Sequence, residues 1–171
     1  AAADHADHHA SARGLSRPWV RIEHCQPVHP AAVPRFKGRV ASMQPLHVLD
    51  AGRAAAERLG SSRMPHFFPF KPLLEAGSVL AFGSDWPIAE PDVIAGITAA
   101  ITGCDRNGQP ARDDRVISAE AALHAYTHAA RQALLMPPVT PAAGDPADLV
   151  LLDRDPRQGP VDSPATVLAT L

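Results

Sequence analysis

Nowhere among the 171 residues does an apolar run approach the roughly 20 residues needed to span a bilayer, and no membrane partner is expected. The N-terminus also lacks the basic-then-apolar order of a secretory leader. Cysteine is scarce. Cys25 and Cys104 stand far apart, whereas a disulfide-stapled scaffold is shorter and denser in Cys, so both read as reduced thiols of a cytoplasmic protein. Basic charge is not in excess either: the net charge is -2 and the Lys and Arg residues are scattered. That leaves no stripe for a phosphate backbone and argues against a nucleic-acid partner. No repeat of solenoid period is visible, and low complexity is confined to the first residues. An initiating Met is missing as well; the chain opens Ala-Ala-Ala, and the expectation is that it lacks its own beginning.

What is present suffices for one domain with a real core, since a domain of this length buries about 70% of its unfolded surface. Residues 1–17, rich in Ala, His and Asp, show no clear apolar periodicity and form a poorly defined segment. Trp19 to Cys25 alternates large apolar and polar residues, as a strand does, and Pro27 and Pro30 stop it. A turn of helix fits Ala32 to Lys37 and a second strand fits Arg39 to Met43. A helix follows from Ala51 to Leu59, with Asp50 as its cap and Gly60 at its end. After the aromatic, Pro-punctuated stretch Met64 to Phe70 comes a short helix, Pro72 to Ala76, closed by Gly77.

Ser78 to Gly83 is a continuous apolar run, the pattern of a strand covered on both faces in a parallel sheet. Helices are expected over Asp92 to Thr102 and, after a polar loop from Cys104 to Asp114, over Ser118 to Leu135. Strand and helix thus alternate, which predicts a parallel α/β architecture. Beyond a Pro-rich linker, Pro137 to Pro141, two further strands, Ala147 to Asp153 and Ala165 to Leu171, read as a separate piece of sheet.

In parallel α/β folds the C-terminal ends of the strands share one face, so polar residues placed where apolar strands stop are site candidates. His24, His47 and Asp85 qualify, with Glu23 and Gln44 beside them. A His and a carboxylate at neighbouring strand ends can hold a divalent cation, which lowers the pKa of a bound water toward about 7. Plainer readings stand next to this one. A lone His at a strand end is a hydrogen-bonded structural group, and Asp85 could cap the following helix through the Ser84-Asp85 turn. Against the latter, a carboxylate after Val-Leu-Ala-Phe-Gly would be costly to bury without a metal, a cation or a donor. Asp4, His5, Asp7, His8 and His9 read either as a solvated segment or as a His-rich metal module. The module reading predicts that deleting the first 17 residues abolishes zinc binding.

Several motifs, in unbroken order from residue 18 to 171, carry a resemblance. They are Arg21-Ile-Glu-His24-Cys-Gln, Ala41-Ser-Met-Gln-Pro-Leu-His47, Arg63 with Phe68-Pro-Phe-Lys71-Pro-Leu-Leu-Glu-Ala-Gly77, and Phe82-Gly-Ser-Asp85-Trp-Pro. Ala121-Ala-Leu-His-Ala-Tyr126-Thr127 and Gly144-Asp-Pro-Ala-Asp148-Leu-Val-Leu-Leu-Asp153 also fit. Together they resemble amidohydrolase family 3, the branch that includes N-substituted formamide deformylases.

The resemblance implies a metal-binding (β/α)8 TIM-type barrel with a small β-sandwich made from both chain ends. Counting back from Asp85, similar to the aspartate at the end of strand eight, makes the Ser42-Met43 strand the seventh and the Glu23-His24 strand the sixth. The chain would then hold strands six to eight within residues 18–136, and the linker with the return strands of the small β domain within 137–171. His24 and Asp85 become metal ligands, the metal most consistent with the family being Zn, and Asp85 also the carboxylate that shuttles the proton of the hydrolytic water. His47 and Trp86 would line the pocket of a small-molecule substrate.

The expected reaction is hydrolysis of a C–N bond, in an amide or formamide-like substrate, by metal-activated water. The His-x-His of strand one, the strand-four ligand and the strand-five His have no counterpart here, and Arg35 to Arg39 is shorter than the family's connection between strands six and seven. The chain alone is therefore expected to be inactive and to bind metal weakly. The competing expectation is a non-catalytic remnant or interaction module that keeps half of the fold. Half a barrel leaves open edges, through which self-association is expected.

Overall fold

The computed structural model describes residues 20–104, 115–140, 142–158 and 165–171, and residues 50–54 by their backbone alone. The His- and Asp-rich segment, Trp19, the loop after Cys104 and Pro141 lie outside the described residues.

Three short strands, β1 (Arg21–Glu23), β2 (Val40–Met43) and β3 (Val79–Phe82), form a parallel sheet in the order β1-β2-β3. The register pairs Ile22 with Ala41 and Ala41 with Leu80, so side chains sort cleanly onto two faces. One face carries Ile22, Ala41, Met43, Leu80 and Phe82 and belongs to the main core. Met43 and Leu73 of that core are 0% exposed, and each such burial contributes roughly 1.5–3 kcal/mol. The other face carries Arg21, Glu23, Val40, Ser42, Val79 and Ala81. Its lower part is covered: Ala133 packs on Val40, Val79 and Ala81, and Arg21 Nη1 donates to the Ala133 carbonyl at 3.3 Å. Glu23, at its upper end, is exposed and pairs with Arg21.

The connections are mostly helical. A 3-10 stretch, Pro30–Phe36, lies between β1 and β2, and α1 (His47–Leu59) and α2 (Phe70–Glu75) lie between β2 and β3. After β3 come α3 (Val93–Thr102), α4 (Ala119–Tyr126) and α5 (His128–Ala133). Strands β4 (Val150–Leu152) and β5 (Val167–Thr170) pair antiparallel as a sheet of their own. Among the described residues no helix is long and apolar enough to cross a membrane.

Three local expectations are corrected. The first strand stops at Glu23, because His24 and Cys25 adopt φ of 68° and 47° and the Cys25 N–H turns back to the Glu23 carbonyl at 2.9 Å. Helix α1 begins one turn before Asp50: the N–H groups of His47, Val48 and Leu49 bond to the carbonyls of Gln44, Pro45 and Leu46 at 3.0–3.1 Å. Asp50 is therefore inside the helix rather than its cap. The single helix expected from Ser118 to Leu135 is broken at Thr127, which has φ -112° and ψ -88° and whose hydroxyl donates to the Leu123 carbonyl at 2.8 Å. A Thr that bonds back to its own preceding turn offers the backbone a bend in place of a continuous helix.

Candidate metal centre

The site begins with an aromatic scaffold under the end of β3. Phe68, Phe70, Phe82 and Tyr126 follow one another with ring centroids 5.2–5.7 Å apart, the last two contacts edge to face. Phe82 is thereby fixed, and Gly83-Ser84-Asp85 leaves the sheet directly above it. Asp85 takes φ 60°, and its carbonyl accepts the Ile88 N–H at 2.8 Å. The carboxyl itself is exposed, so the desolvation argument made for it from sequence does not operate. Nor does Asp85 cap the next helix. That role falls to Asp92, which accepts the Ala95 N–H at 2.9 Å.

His24 leaves β1 with φ 68° and is exposed. Left-handed backbone is uncommon for residues other than Gly, and outliers of this kind gather where a structure holds a side chain for a purpose. His47 is the first residue of α1, placed there by the Gln44-Pro45-Leu46 turn that ends β2. Three consecutive parallel strands therefore deliver His24, His47 and Asp85 to one end of the sheet. A donor atom from each lies within 4.8 Å of the other two. The two imidazoles are stacked, with centroids 6.3 Å apart and planes inclined by 20°.

The chemistry of this donor set fits a divalent cation. Two imidazoles and a carboxylate are the ligand types of zinc sites, and donors that share one such ion stand about 3.3–4.2 Å apart, given bonds of about 2.0–2.2 Å. Closing from 4.8 Å needs only small side-chain shifts. His47 Nε2 is also buried without a hydrogen-bond partner among the described residues, an orphan that a ligand would satisfy.

Two residues beyond the sequence candidates shape the site. Gln26 Nε2 lies 3.1 Å from His47 Nδ1. Gln26 is itself held in place, its carbonyl accepting the Phe68 N–H at 2.7 Å beside an isolated bridge between Pro27 and Phe67. Arg115 secures the other side of that bridge, donating to the Met64 and Phe67 carbonyls at 3.1 and 2.9 Å. Gln26 was legible only as part of the His24-Cys-Gln motif, and no local pattern marked Arg115. Gln44 is buried at 5% exposure, with Oε1 unpartnered among the described residues. Trp86 stands out into solvent at 69% exposure, and its backbone N–H donates to the Ser84 hydroxyl oxygen at 3.2 Å. The Cys25 thiol donates to the Ile22 carbonyl at 3.3 Å, and burial pushes it up to about 12, which makes it an inert neighbour of His24. A cleft of about 470 Å³ elsewhere is lined by Ser78, Val79 and Glu120 and contains none of the cluster residues.

Solved structures share this fold. A crystal structure of an uncharacterized metal-dependent hydrolase from Pyrococcus furiosus matches with a TM-score of 0.60 and 29% identity, over 78% of this chain and 27% of that one. The corresponding Pyrococcus horikoshii OT3 structure matches with a TM-score of 0.64 and 26% identity, over 77% and 27%. The mixed α/β fold thus resembles those of metal-dependent hydrolases. The amidohydrolase family model matches residues 1–171, and the chain belongs to that family. Among curated proteins, Protein LONG AFTER FAR-RED 3 of Arabidopsis thaliana is 39% identical over 95 residues, which are 54% of this chain and 16% of that protein. The chain therefore spans about a quarter of the solved hydrolases and a smaller share of the plant protein.

Proposed function

We propose that this chain supplies strands six to eight of a (β/α)8 barrel that hydrolyses C–N bonds in amide or formamide-like substrates, in the manner of the N-substituted formamide deformylases. The observation that carries the reading is the meeting of His24, His47 and Asp85 at the C-terminal end of three successive parallel strands. Support for the barrel comes from the upper end of the second sheet face, where Glu23 and Ser42 suit a polar lumen, while Val40, Val79 and Ala81 below them are covered by Ala133. Three strands cannot close such a barrel, and the hydrolases matched are much longer. In this reading β4 and β5 are the return strands of a small β-sandwich, and the protein works in the cytoplasm.

His24 and Asp85 would hold the metal, which we take to be Zn2+. When bound, it acts as a Lewis acid on the carbonyl and lowers the pKa of water toward about 7. Asp85, whose carboxyl is exposed, takes the proton from the attacking water and returns it to the leaving nitrogen. One water is consumed, the C–N bond breaks, and a carboxylic acid and an amine leave. His47 faces the substrate oxygen, and the exposed indole of Trp86 offers an apolar wall beside it.

Formate release from an N-formyl amine in the presence of Zn2+ tests this reading, with the wild-type sequence and Asp85→Asn each placed in a chain long enough to close the barrel. The variant is expected to lose at least about a hundredfold, as general acid-base groups contribute that much or more. Equal rates would sink the mechanism. The 171-residue chain alone is expected to show no turnover. Turnover lost with and without Asp85 in the long chain would favour the non-catalytic interaction module instead.

A further inference from the structure

We infer that Gln26 is a positioning residue that fixes the tautomer of His47, so that His47 presents an N–H rather than a lone pair to the centre. The neutral imidazole carries one proton on one of two nitrogens, and the partner of one nitrogen decides which. Gln26 Nε2 lies 3.1 Å from Nδ1; an amide N–H pointing there makes Nδ1 the acceptor and leaves the proton on Nε2. Nε2 is the buried nitrogen without a partner among the described residues. With the proton there, Nε2 is a buried donor without an acceptor among the described residues, on a ring that belongs to the cluster.

The Gln26 amide is well placed to impose this state. Its backbone is pinned by the Phe68 N–H at 2.7 Å, and the 66–68 segment is in turn bonded to Val28 N–H at 3.2 Å and to Arg115. The consequence separates the three clustered side chains by role. His24 and Asp85 remain metal ligands, while His47 offers a neutral hydrogen bond to the substrate's carbonyl oxygen, where negative charge develops during attack. The inference rests on the proposed hydrolase reading for that last role, but not for the tautomer itself.

Two-bond 1H–15N correlation spectra of the metal-free 171-residue chain, recorded at a pH where the ring is neutral, read the tautomer directly. Wild type is expected to show the Nε2–H form at His47. Gln26→Glu, whose carboxylate can only accept, is expected to invert the ring to Nδ1–H, and Gln26→Leu to give a mixture of both forms. A wild-type ring that is Nδ1–H or mixed, or a ring unchanged in folded Gln26→Glu and Gln26→Leu, overturns the proposal. Far-ultraviolet circular dichroism establishes that the variants fold. In a barrel-closing chain, Gln26→Glu is further expected to lower kcat about 10- to 100-fold, the range for partners that orient a site residue. Absence of turnover in the wild-type long chain would count against the hydrolase reading while leaving the spectra decisive for the tautomer.

Discussion

The Tyr126 hydroxyl shows how closely this core is built around single atoms. It is buried without a hydrogen-bond partner among the described residues, and a Cβ added at Gly96 would meet it at 1.9 Å. Burial, with the Asp92 charge as a second cause, pushes its pKa upward. An unsatisfied buried hydroxyl costs more than a missing one, so Tyr126→Phe is expected to raise stability by about 1 kcal/mol. Gly96→Ala is expected to lower it by about 1–3 kcal/mol, with part of that loss recovered in the Tyr126→Phe background. Urea unfolding of the single and double variants measures both. Cys25 makes a second residue-scale prediction. Its thiol ionises near 9.0 when unfolded and near 12 when folded, so its burial contributes stability below about pH 9 that is lost as pH rises toward 12. Tyr126 acts in the same direction. The unfolding midpoint should fall between about pH 8 and about pH 10.5, and Cys25→Ala should flatten that fall.

At the scale of elements, the helices after β3 are set by their first residues. Asp92 and Ser118 accept the Ala95 and Ala121 N–H groups at 2.9 and 3.1 Å. Replacing either by Ala should cost about 1 kcal/mol in an equilibrium urea titration, and the two losses should add. The starts of both helices were readable in the sequence, though the cap of the first was sought at Asp85 rather than Asp92; β2 and β3 were readable to within a residue, because buried strands announce themselves as apolar runs. Other features were not readable. The exit from β1 turns on left-handed His24 and Cys25, where no Gly or Pro marks a turn. The break at Thr127 depends on one hydroxyl bonding back four residues. The candidate site was legible as residue types at strand ends, since chain direction alone sends those ends to one side. Gln26 was hidden because its contact with His47 crosses 21 residues and depends on the 66–68 segment that holds it.

At the scale of the whole molecule, the chain is an α/β unit with open borders. Val150, Leu151, Val167 and Leu168 of the β4–β5 sheet are exposed, and β1 has no neighbour on its outer edge among the described residues. The same features are the ones on which the expectation of self-association rests. Light scattering should show assemblies larger than one chain at micromolar concentration, and Leu151→Glu with Leu168→Glu should reduce them; a monodisperse monomer in the wild type would remove this expectation. In the proposed reading the two metal ligands, His24 and Asp85, follow β1 and β3, with His47 after β2 between them.

The central claim is that the strand ends, and not the His- and Asp-rich segment at residues 1–17, form the metal centre. Zn2+ titration calorimetry of three proteins tests it: the chain, the chain without residues 1–17, and Asp85→Asn. Binding that is weak in the chain, kept on deletion and reduced at least about tenfold in Asp85→Asn is the predicted result, in line with the loss of one of few ligands. Binding abolished by the deletion and unchanged in Asp85→Asn would contradict it.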